Sequence, residues 1–216
     1  MRKIKYPRTP HLPWSLGIQS DDVSLSNVEN LKGREIVVTE KMDGENTTMY
    51  SDSLHARSLD SLSNETQAWV RQFHSTFCWK IPDQWRVCGE NVYAKHSIYY
   101  TELPSYFLGF SIWDEKNRCL PWDDTTKWFD RLSIVHPPVL YRGAFEELLL
   151  RKLAKELDTE HHEGYVVRVA DSFSYSEFAD SVAKFVRKGH VQTDKHWKRG
   201  KIIPNKLQPE RDYILT

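Results

Sequence analysis

The sequence predicts an α+β fold in a single domain, and three observations support this prediction. Short runs of β-branched and aromatic residues, typical of strands, alternate with longer stretches that have the apolar period of an amphipathic helix. Of the 216 residues, 39% are hydrophobic and 12% are aromatic, which is enough for one good-sized core. No internal repeat or low-complexity segment interrupts the chain, so we expect a globular protein rather than a disordered one.

The stretch at residues 35–50 contains the first candidate site. Its β-branched run at 36–39 predicts a strand, Asp43-Gly44 is typical of a tight hairpin turn, and residues 46–50 predict the returning strand. Lys41 would therefore lie at the rim of a hairpin, beside a carboxylate. A lysine becomes an amine nucleophile when desolvation or neighbouring cations remove its proton, although a solvated lysine in a surface hairpin has the same local sequence.

Three helices are predicted from apolar periodicity. In residues 64–77, Trp69, Phe73 and Phe77 share one face behind Asn64 as the N-cap, so this helix should pack on a sheet with its aromatic stripe in the core. The other two predicted helices cover residues 122–132 and 144–157. Further strands or strand ends are predicted at residues 55–58, 85–90, 106–113, 163–168 and 181–188.

Charged residues occur at the ends or inside these strands. Arg57 is a candidate contact for a phosphate or ribose, and Glu90 for a ribose hydroxyl or a metal ion, although either residue alone is more commonly a surface charge. Lys184 lies inside an apolar run and must have a partner, because burying a lone ammonium group is costly. Neighbouring histidines on an extended chain point in opposite directions, which argues against a shared metal ion at His161-His162.

The charge distribution matters more than the net charge, because 30 basic and 30 acidic residues cancel. Residues 184–206 contain eight Lys or Arg and a single acid, and the first ten residues are also basic. The three cysteines show no Cys-x-x-Cys spacing, which indicates free thiols in a reducing cytoplasm. No run of about eighteen apolar residues and no signal peptide is found, so we expect a protein of the cytoplasm, or of the host cytoplasm if it is viral, that does not enter a membrane.

Taken in order, the motifs resemble the covalent nucleotidyltransferase superfamily, and most closely its ATP-dependent RNA ligases. They are Lys41-x-Asp43-Gly44, Gly89-Glu90, the aromatic strand at 106–113, Glu163-Gly164 and Lys184, together with the flanks at 11–15 and 184–193. The resemblance implies mainly antiparallel sheets, helices packed outside them and a nucleotide in the groove between. It divides the chain into an N-terminal arm (1–34), a nucleotidyltransferase domain (35–190) and a short basic tail (191–216) without a separate oligonucleotide-binding domain.

The resemblance also implies catalytic roles. Lys41 would take AMP from ATP as a phosphoramidate, and Lys184 would neutralise the α-phosphate. Glu163 would hold a divalent ion, Mg²⁺ or Mn²⁺, with Glu90 as a second ligand that also contacts the ribose. Attack requires a neutral amine, so we expect Lys184 and the bound ion to lower the pKa of Lys41 by about three units from about 10.4.

For the base, the resemblance implies that Phe110 stacks on adenine. Phe107 is the alternative, because alternation places residues 106, 108 and 110 on one face and residue 107 on the other. The family often has Phe-Asp where this chain has Phe110-Ser111, and a second lysine where it has Val186, so Lys188 is proposed for that role. The remaining expected nucleotide contacts are Glu40, Asp43 and Arg57.

The expected reaction joins RNA ends that carry a 5′-phosphate and a 3′-hydroxyl, with the basic segment at 184–206 holding the RNA. A monomer is expected, and a kinase or phosphatase is a possible partner that prepares the ends. DNA ligases and capping enzymes usually carry an added domain after the last motif, whereas fewer than thirty residues follow Lys188. A non-catalytic nucleotide- or RNA-binding module is the other alternative, and the presence of all four motif residues argues against it.

Overall fold

Two antiparallel sheets form the framework of the protein. The structure, a computed structural model, describes residues 3–20, 22–59, 65–189 and 202–209. In these ranges a four-stranded sheet, sheet A, has the order β10 (Val182–Val186), β8 (Gly164–Val169), β1 (Glu35–Lys41) and β7 (Val139–Ala144). A six-stranded sheet, sheet B, has the order β3 (Leu54–Ala56), β2 (Glu45–Met49), β4 (Arg86–Asn91), β5 (Phe107–Trp113), β6 (Arg118–Cys119) and β9 (Phe173–Ser174).

The helices of the described residues pack outside the sheets, as the predicted α+β fold requires. They are α1 (Ala68–Ser75), α2 (Trp122–Leu132), α3 (Glu147–Glu156) and α4 (Phe178–Ser181). The prediction for α2 is confirmed at both ends. Helix α3 begins later than predicted because β7 continues to residue 144, and α1 begins at residue 68 after a 3₁₀ turn, while the predicted cap Asn64 lies outside the described residues.

Two large hydrophobic clusters lie against the sheets, and the first of them contains residues of both sheets. Beneath sheet A the cluster includes Tyr165, Val167 and Leu150 of α3, all fully buried. Beneath sheet B the stripe of α1 packs on the strands, with the rings of Trp69 and Phe73 stacked at a centroid distance of 5.0 Å. The prediction that these aromatic residues belong to the core is confirmed.

The predicted hairpin of β1 and β2 is wrong. Strand β1 pairs with β7 and β8 in sheet A, whereas β2 pairs with β3 and β4 in sheet B, so residues 42–44 carry the chain from one sheet to the other. A side chain at Gly44 would come within 2.5 Å of the Asn91 carbonyl oxygen, which explains why glycine is needed at this crossing. The Asp43 carboxylate accepts hydrogen bonds from Ser97 and the Ile98 N–H instead of closing a turn.

The N-terminal arm adds an edge to sheet A. The N–H of Lys184 donates to the Pro10 carbonyl at 2.9 Å, and the N–H of Leu12 donates to the Lys184 carbonyl at 2.8 Å. Trp14 fixes the next turn, because its indole N–H donates to the hydroxyl of Tyr165 at 3.0 Å. The arm therefore lies along β10, which is the strand that carries Lys184, the predicted phosphate contact.

Candidate active site

A groove of about 510 Å³ is lined by residues of both sheets and of the arm. Sheet A contributes the end of β1 and parts of β8 and β10, sheet B contributes β2, β4 and β5, and the arm contributes Tyr6, Pro7 and Thr9. A cavity of this size falls within the range of small-ligand sites. The predicted position of the groove, between two antiparallel sheets, is confirmed.

Lys41 and Glu163 form the centre of the site. Lys41 is the last residue of β1 and lies opposite Gly164, so the carboxylate of Glu163 comes next to its amine, with Nζ and Oε2 separated by 2.6 Å. Glu163 is almost fully buried, and burial raises its pKa although Lys41 opposes this effect. The pair places a potential nucleophile beside a potential proton acceptor.

The expected lowering of the pKa of Lys41 is not produced by the protein groups. Burial does lower this pKa, but attraction to Glu163, Glu90 and Asp43 outweighs burial and leaves the pKa raised. Lys184 is the cation that was expected to lower it, yet three carboxylates, those of Glu163, Glu90 and Asp43, act on the amine in the opposite direction. Of the two predicted causes, Lys184 and a divalent ion, Lys184 is therefore not sufficient to lower the pKa of Lys41.

Glu90 lies on β4 opposite Asn46 and lines the groove, as predicted. Burial raises the pKa of its carboxyl group to about 8, and Glu163 adds to this rise while Lys41 opposes it. A carboxyl in this state donates a hydrogen bond at neutral pH and becomes a full anion when a cation arrives.

Lys184 points into the groove from β10, with 19% of its side chain exposed. Its partner is Asp22 of the arm, whose Oδ1 lies 3.7 Å from Nζ. Burial lowers the pKa of Lys184, Asp22 opposes this, and Lys41 adds to it. The expectation that Lys184 needs a partner is confirmed, but sequence reasoning did not identify Asp22.

A bulge in β5 decides between the two candidate phenylalanines. Cys88 pairs with Ser111 and Gly89 pairs with Gly109, so Phe110 is an extra residue on β5. Phe110 and Ser111 both line the groove, whereas Phe107 is fully buried in the core beneath sheet B. Of the two candidates, Phe110 is thus the one that lines the groove, with the ring of Tyr6 edge-on at 5.2 Å.

The remaining predicted contacts are divided between the groove and other positions. Arg57 and Glu40 line the groove, and Glu40 is paired with His162 at 2.8 Å. Asp43 is turned toward Ser97, so it acts on the site through its charge. Lys188 is exposed two residues beyond β10 and does not line the groove.

The two departures from the family pattern have structural roles. The hydroxyl of Ser111 accepts a hydrogen bond from the indole N–H of Trp113 at 3.1 Å. Val186 is buried, its N–H donates to Ser15 Oγ at 2.9 Å, and its carbonyl accepts from two N–H groups of the arm. Both positions thus hold the framework of the groove together.

The donor set of the groove suits a divalent ion that also binds phosphate. Among the described residues no cluster of three or more His, Cys, Asp or Glu has a metal-binding arrangement. Glu163 and Glu90 both act electrostatically on Lys41. One or two carboxylates completed by substrate phosphates are the usual surroundings of Mg²⁺ in such sites. His161 and His162 contact different partners, Asp158 and Glu40, rather than one common point.

Several residues of the groove and its surroundings were not found from the sequence. Tyr6 and Asp22 belong to a proline- and serine-rich arm without a periodic pattern, and the hydroxyl of Tyr100 accepts a hydrogen bond from the Asp43 N–H at 2.9 Å. The pairing of the arm with β10 joins residues about 170 positions apart, and no local signal encodes it.

No helix of the described residues combines the length and apolar character that a membrane span requires.

Comparisons with known proteins agree with this fold. A family model described as RNA ligase matches residues 34–186. An archaeal ATP-dependent RNA ligase, in its form 2 structure, aligns with a TM-score of 0.61 and 15% identity over 85% of this chain and 48% of that chain. A lysine-to-alanine mutant of Naegleria gruberi RNA ligase with ATP and Mn aligns with a TM-score of 0.55 and 17% identity over 85% of this chain and 58% of that chain.

The chain spans about half the length of these solved structures, and at this identity the likeness concerns the fold. Comparison with curated proteins gives no match.

Proposed function

The chain belongs to the RNA ligase family, and from this premise we propose that it is an ATP-dependent RNA ligase that works through AMP held covalently on Lys41. The observation that carries the proposal is the amine of Lys41 at the groove, 2.6 Å from the buried carboxylate of Glu163. Lys184 and Glu90 line the same groove. This set supplies a nucleophile, a proton acceptor, a phosphate-binding cation and a second carboxylate.

In the first step the nitrogen of Lys41 attacks the α-phosphorus of ATP. The N–P bond forms as the bond to the pyrophosphate oxygen breaks, and pyrophosphate leaves. The ammonium group must first lose a proton, and Glu163 Oε2 lies within hydrogen-bond distance to accept it. A divalent ion held by Glu163 and Glu90 would supply positive charge that lowers the pKa of Lys41 and offsets charge on the phosphate oxygens.

The other groove residues orient the nucleotide. Phe110 stacks on adenine, because it is the aromatic side chain of β5 that the bulge turns into the groove. Glu90 contacts the ribose, and Lys184 stabilises negative charge on the α-phosphate in the transition state. Arg57 and Glu40 lie at the groove wall as further contacts.

In the later steps AMP passes to an RNA 5′-phosphate, and a 3′-hydroxyl then attacks with release of AMP. The basic segment at 184–206 holds the RNA backbone, and its residues 190–201 lie outside the described residues. We retain the division into an arm (1–34), a catalytic domain (35–190) and a basic tail (191–216). A monomer that receives ends prepared by a kinase or phosphatase is part of the same proposal.

The test is covalent labelling with α-labelled ATP and Mg²⁺, read by denaturing electrophoresis. Wild-type protein should be labelled, and Lys41→Ala should reduce the label below detection because it removes the attacking nitrogen. Lys127→Ala is the matched control, since Lys127 is an exposed lysine paired with Asp124 away from the groove.

Each other outcome has a defined meaning. Label from GTP but not from ATP would indicate capping-type chemistry. RNA binding without label from either nucleotide, on protein shown by mass to carry no AMP, would favour the non-catalytic module. Label that survives in Lys41→Ala would show that another residue is the nucleophile.

A further inference from the structure

A chain of polar side chains connects the N-terminal arm to Lys184. The hydroxyl of Ser15 lies 2.7 Å from His11 Nδ1, and His11 Nε2 lies 3.1 Å from Asp22 Oδ2. The other oxygen of Asp22 lies 3.7 Å from Lys184 Nζ. One carboxylate thus bridges a fully buried histidine and the lysine that faces the groove.

The carboxylate of Asp22 is fixed in place by the arm. The N–H of Gln19 donates to Asp22 Oδ2 at 3.0 Å, and the N–H of Asp22 donates to the Gln19 carbonyl at 3.1 Å. The backbone of His11 is bonded on both sides, from its N–H to the Val23 carbonyl and from the Leu25 N–H to its own carbonyl. Because these contacts hold Asp22 from several directions, it is a rigid partner for Lys184.

The distance between Asp22 and Lys184 leaves the lysine free to bind a second anion. At 3.7 Å the two charges attract each other, but the separation is longer than a hydrogen bond. An ammonium group has three N–H donors, so Lys184 keeps donors for an acceptor in the groove. The backbone of Lys184 is hydrogen-bonded to Pro10 and Leu12. The arm therefore holds both the backbone of Lys184 and, through Asp22, its ammonium group.

We propose that Asp22 is a positioning residue for Lys184, holding its ammonium group charged and oriented toward the place in the groove where a phosphate oxygen binds, while His11 holds Asp22. That the bound anion is a phosphate of ATP rests on the proposed function. The contact between the arm and Lys184 does not depend on it.

The charges around Lys184 make its partner important. Burial, Lys41 and Arg57 all favour the neutral amine of Lys184, whereas Asp22 and Glu163 favour the ammonium form. Asp22 is the larger of these two stabilising influences. Its removal should let Lys184 lose its proton at a lower pH.

The first experiment titrates Lys184 directly, without nucleotide or metal. Trace acetylation between pH 7 and 11, followed by mass spectrometry of the peptide that contains Lys184, gives the pH at which the amine becomes reactive. Asp22→Asn should lower this midpoint by about one pH unit, because an opposite charge at this distance shifts a pKa by one unit or more. Asp22→Glu keeps the charge and should restore most of the shift.

Glu29→Gln is the matched control, because Glu29 is an acid of the same arm paired with the exposed Lys32. In Glu29→Gln, the pH midpoint for acetylation of Lys184 should equal that of the wild type. A midpoint in Asp22→Asn that also equals the wild-type value would overturn the proposal. Thermal unfolding of each variant shows whether the arm remains folded, and the Asp22→Glu variant keeps the test interpretable if Asp22→Asn is unstable.

The second experiment measures the rate of AMP labelling in the same variants. Asp22→Asn should label about ten-fold more slowly than Glu29→Gln, because a misplaced catalytic group loses one to two orders of magnitude in rate. An unchanged rate would overturn the positioning role even if the midpoint moved. If the wild type is not labelled but the midpoint shifts as expected, the proposed function fails while the contact of Asp22 with Lys184 stands.

Discussion

At the residue scale, the carboxyl group of Glu90 lies in the groove near Glu163 and Glu45, and its pKa is raised to about 8. Burial is the largest cause, because a desolvated carboxylate loses its hydration. The neighbouring carboxylates add repulsion, which Lys41 only partly offsets. Glu90 is therefore mostly neutral at pH 7 until a cation or a nucleotide enters the groove.

This state of Glu90 makes the stability of the protein depend on pH. Because the pKa is about 8 in the folded protein and about 4.5 in the unfolded chain, ionisation of Glu90 destabilises the fold as pH rises from about 5 to 8, and the loss is complete above about 9. In EDTA, wild-type protein should lose about 1–3 kcal/mol of unfolding free energy over this range relative to Glu90→Gln.

Urea denaturation at pH 5, 7 and 9 measures this difference. The exposed acid Glu102 provides the control, because Glu102→Gln should follow the wild-type slope. If the unfolding free energies of wild type and Glu90→Gln changed with pH in parallel, Glu90 would already be ionised in the folded protein at pH 5.

Some residues of the site could be predicted from the sequence and others could not. Lys41, Glu90 and Lys184 could be found because each belongs to a short motif, and the structure brings them to one groove. Asp22 could not be found, because its role depends on the pairing of the arm with β10 rather than on its neighbours in sequence. The raised pKa of Lys41 in the protein without a metal ion could not be found either, since it depends on three carboxylates that arrive from different elements.

At the element scale, the close approach of β8 and β10 sets the distance between the groove residues they carry. Gly164 pairs with Val186, and a side chain at Gly164 would overlap the carbonyl oxygen of Phe185. Glu163 comes just before this contact, and Lys184 lies two residues before Val186. Glycine at 164 thus keeps the two strands close together where Glu163 contacts Lys41 and where Lys184 lines the groove.

Gly164→Ala should therefore push the two strands apart. We expect a loss of about 2–4 kcal/mol in unfolding free energy, because the overlap is with backbone that cannot move aside, together with slower AMP labelling. Gly33→Ala is the control: Gly33 has φ +73° but open space around it, so its cost should stay near 1 kcal/mol without an effect on labelling. Equal losses in the two variants would contradict this account of β8 and β10.

Elements were predicted well where a local pattern decides them. Helix α2 matches its predicted bounds, and most strands match within a few residues. The hairpin was mispredicted because Asp43-Gly44 has the composition of a tight turn, and composition does not reveal that the next strand joins another sheet. The bulge at Phe110 was invisible for a similar reason, since simple alternation places Ser111 on the opposite face.

At the scale of the whole molecule, the two sheets share one hydrophobic cluster and both line the groove. A nucleotide that contacts Phe110 on sheet B and Lys184 on sheet A would join the two halves. Ligand binding to the folded state alone raises its stability by RT ln(1 + [L]/Kd), so the whole protein should unfold at a higher temperature when the groove is filled.

This stabilisation can be measured in Lys41→Ala, which binds nucleotide but cannot react. ATP with Mg²⁺ at one hundred times Kd should add about 2.7 kcal/mol, which corresponds to roughly 5–10 °C in Tm for a chain of this size. GTP at the same concentration is the comparison and should give a clearly smaller shift. Equal shifts with both nucleotides would contradict recognition of adenine in this groove.

The architecture has a consequence for the order in which the site forms during synthesis. Strand β1 and Lys41 leave the ribosome early, but β8 and β10 follow more than 120 residues later, and Val186 bonds to an arm residue 171 positions before it. A nascent chain that stops short of β10 contains the nucleophile without Lys184 or the edge that closes sheet A. Under the proposed function, full AMP chemistry therefore requires a chain whose translation has passed β10, and a half-made protein would react more slowly with ATP.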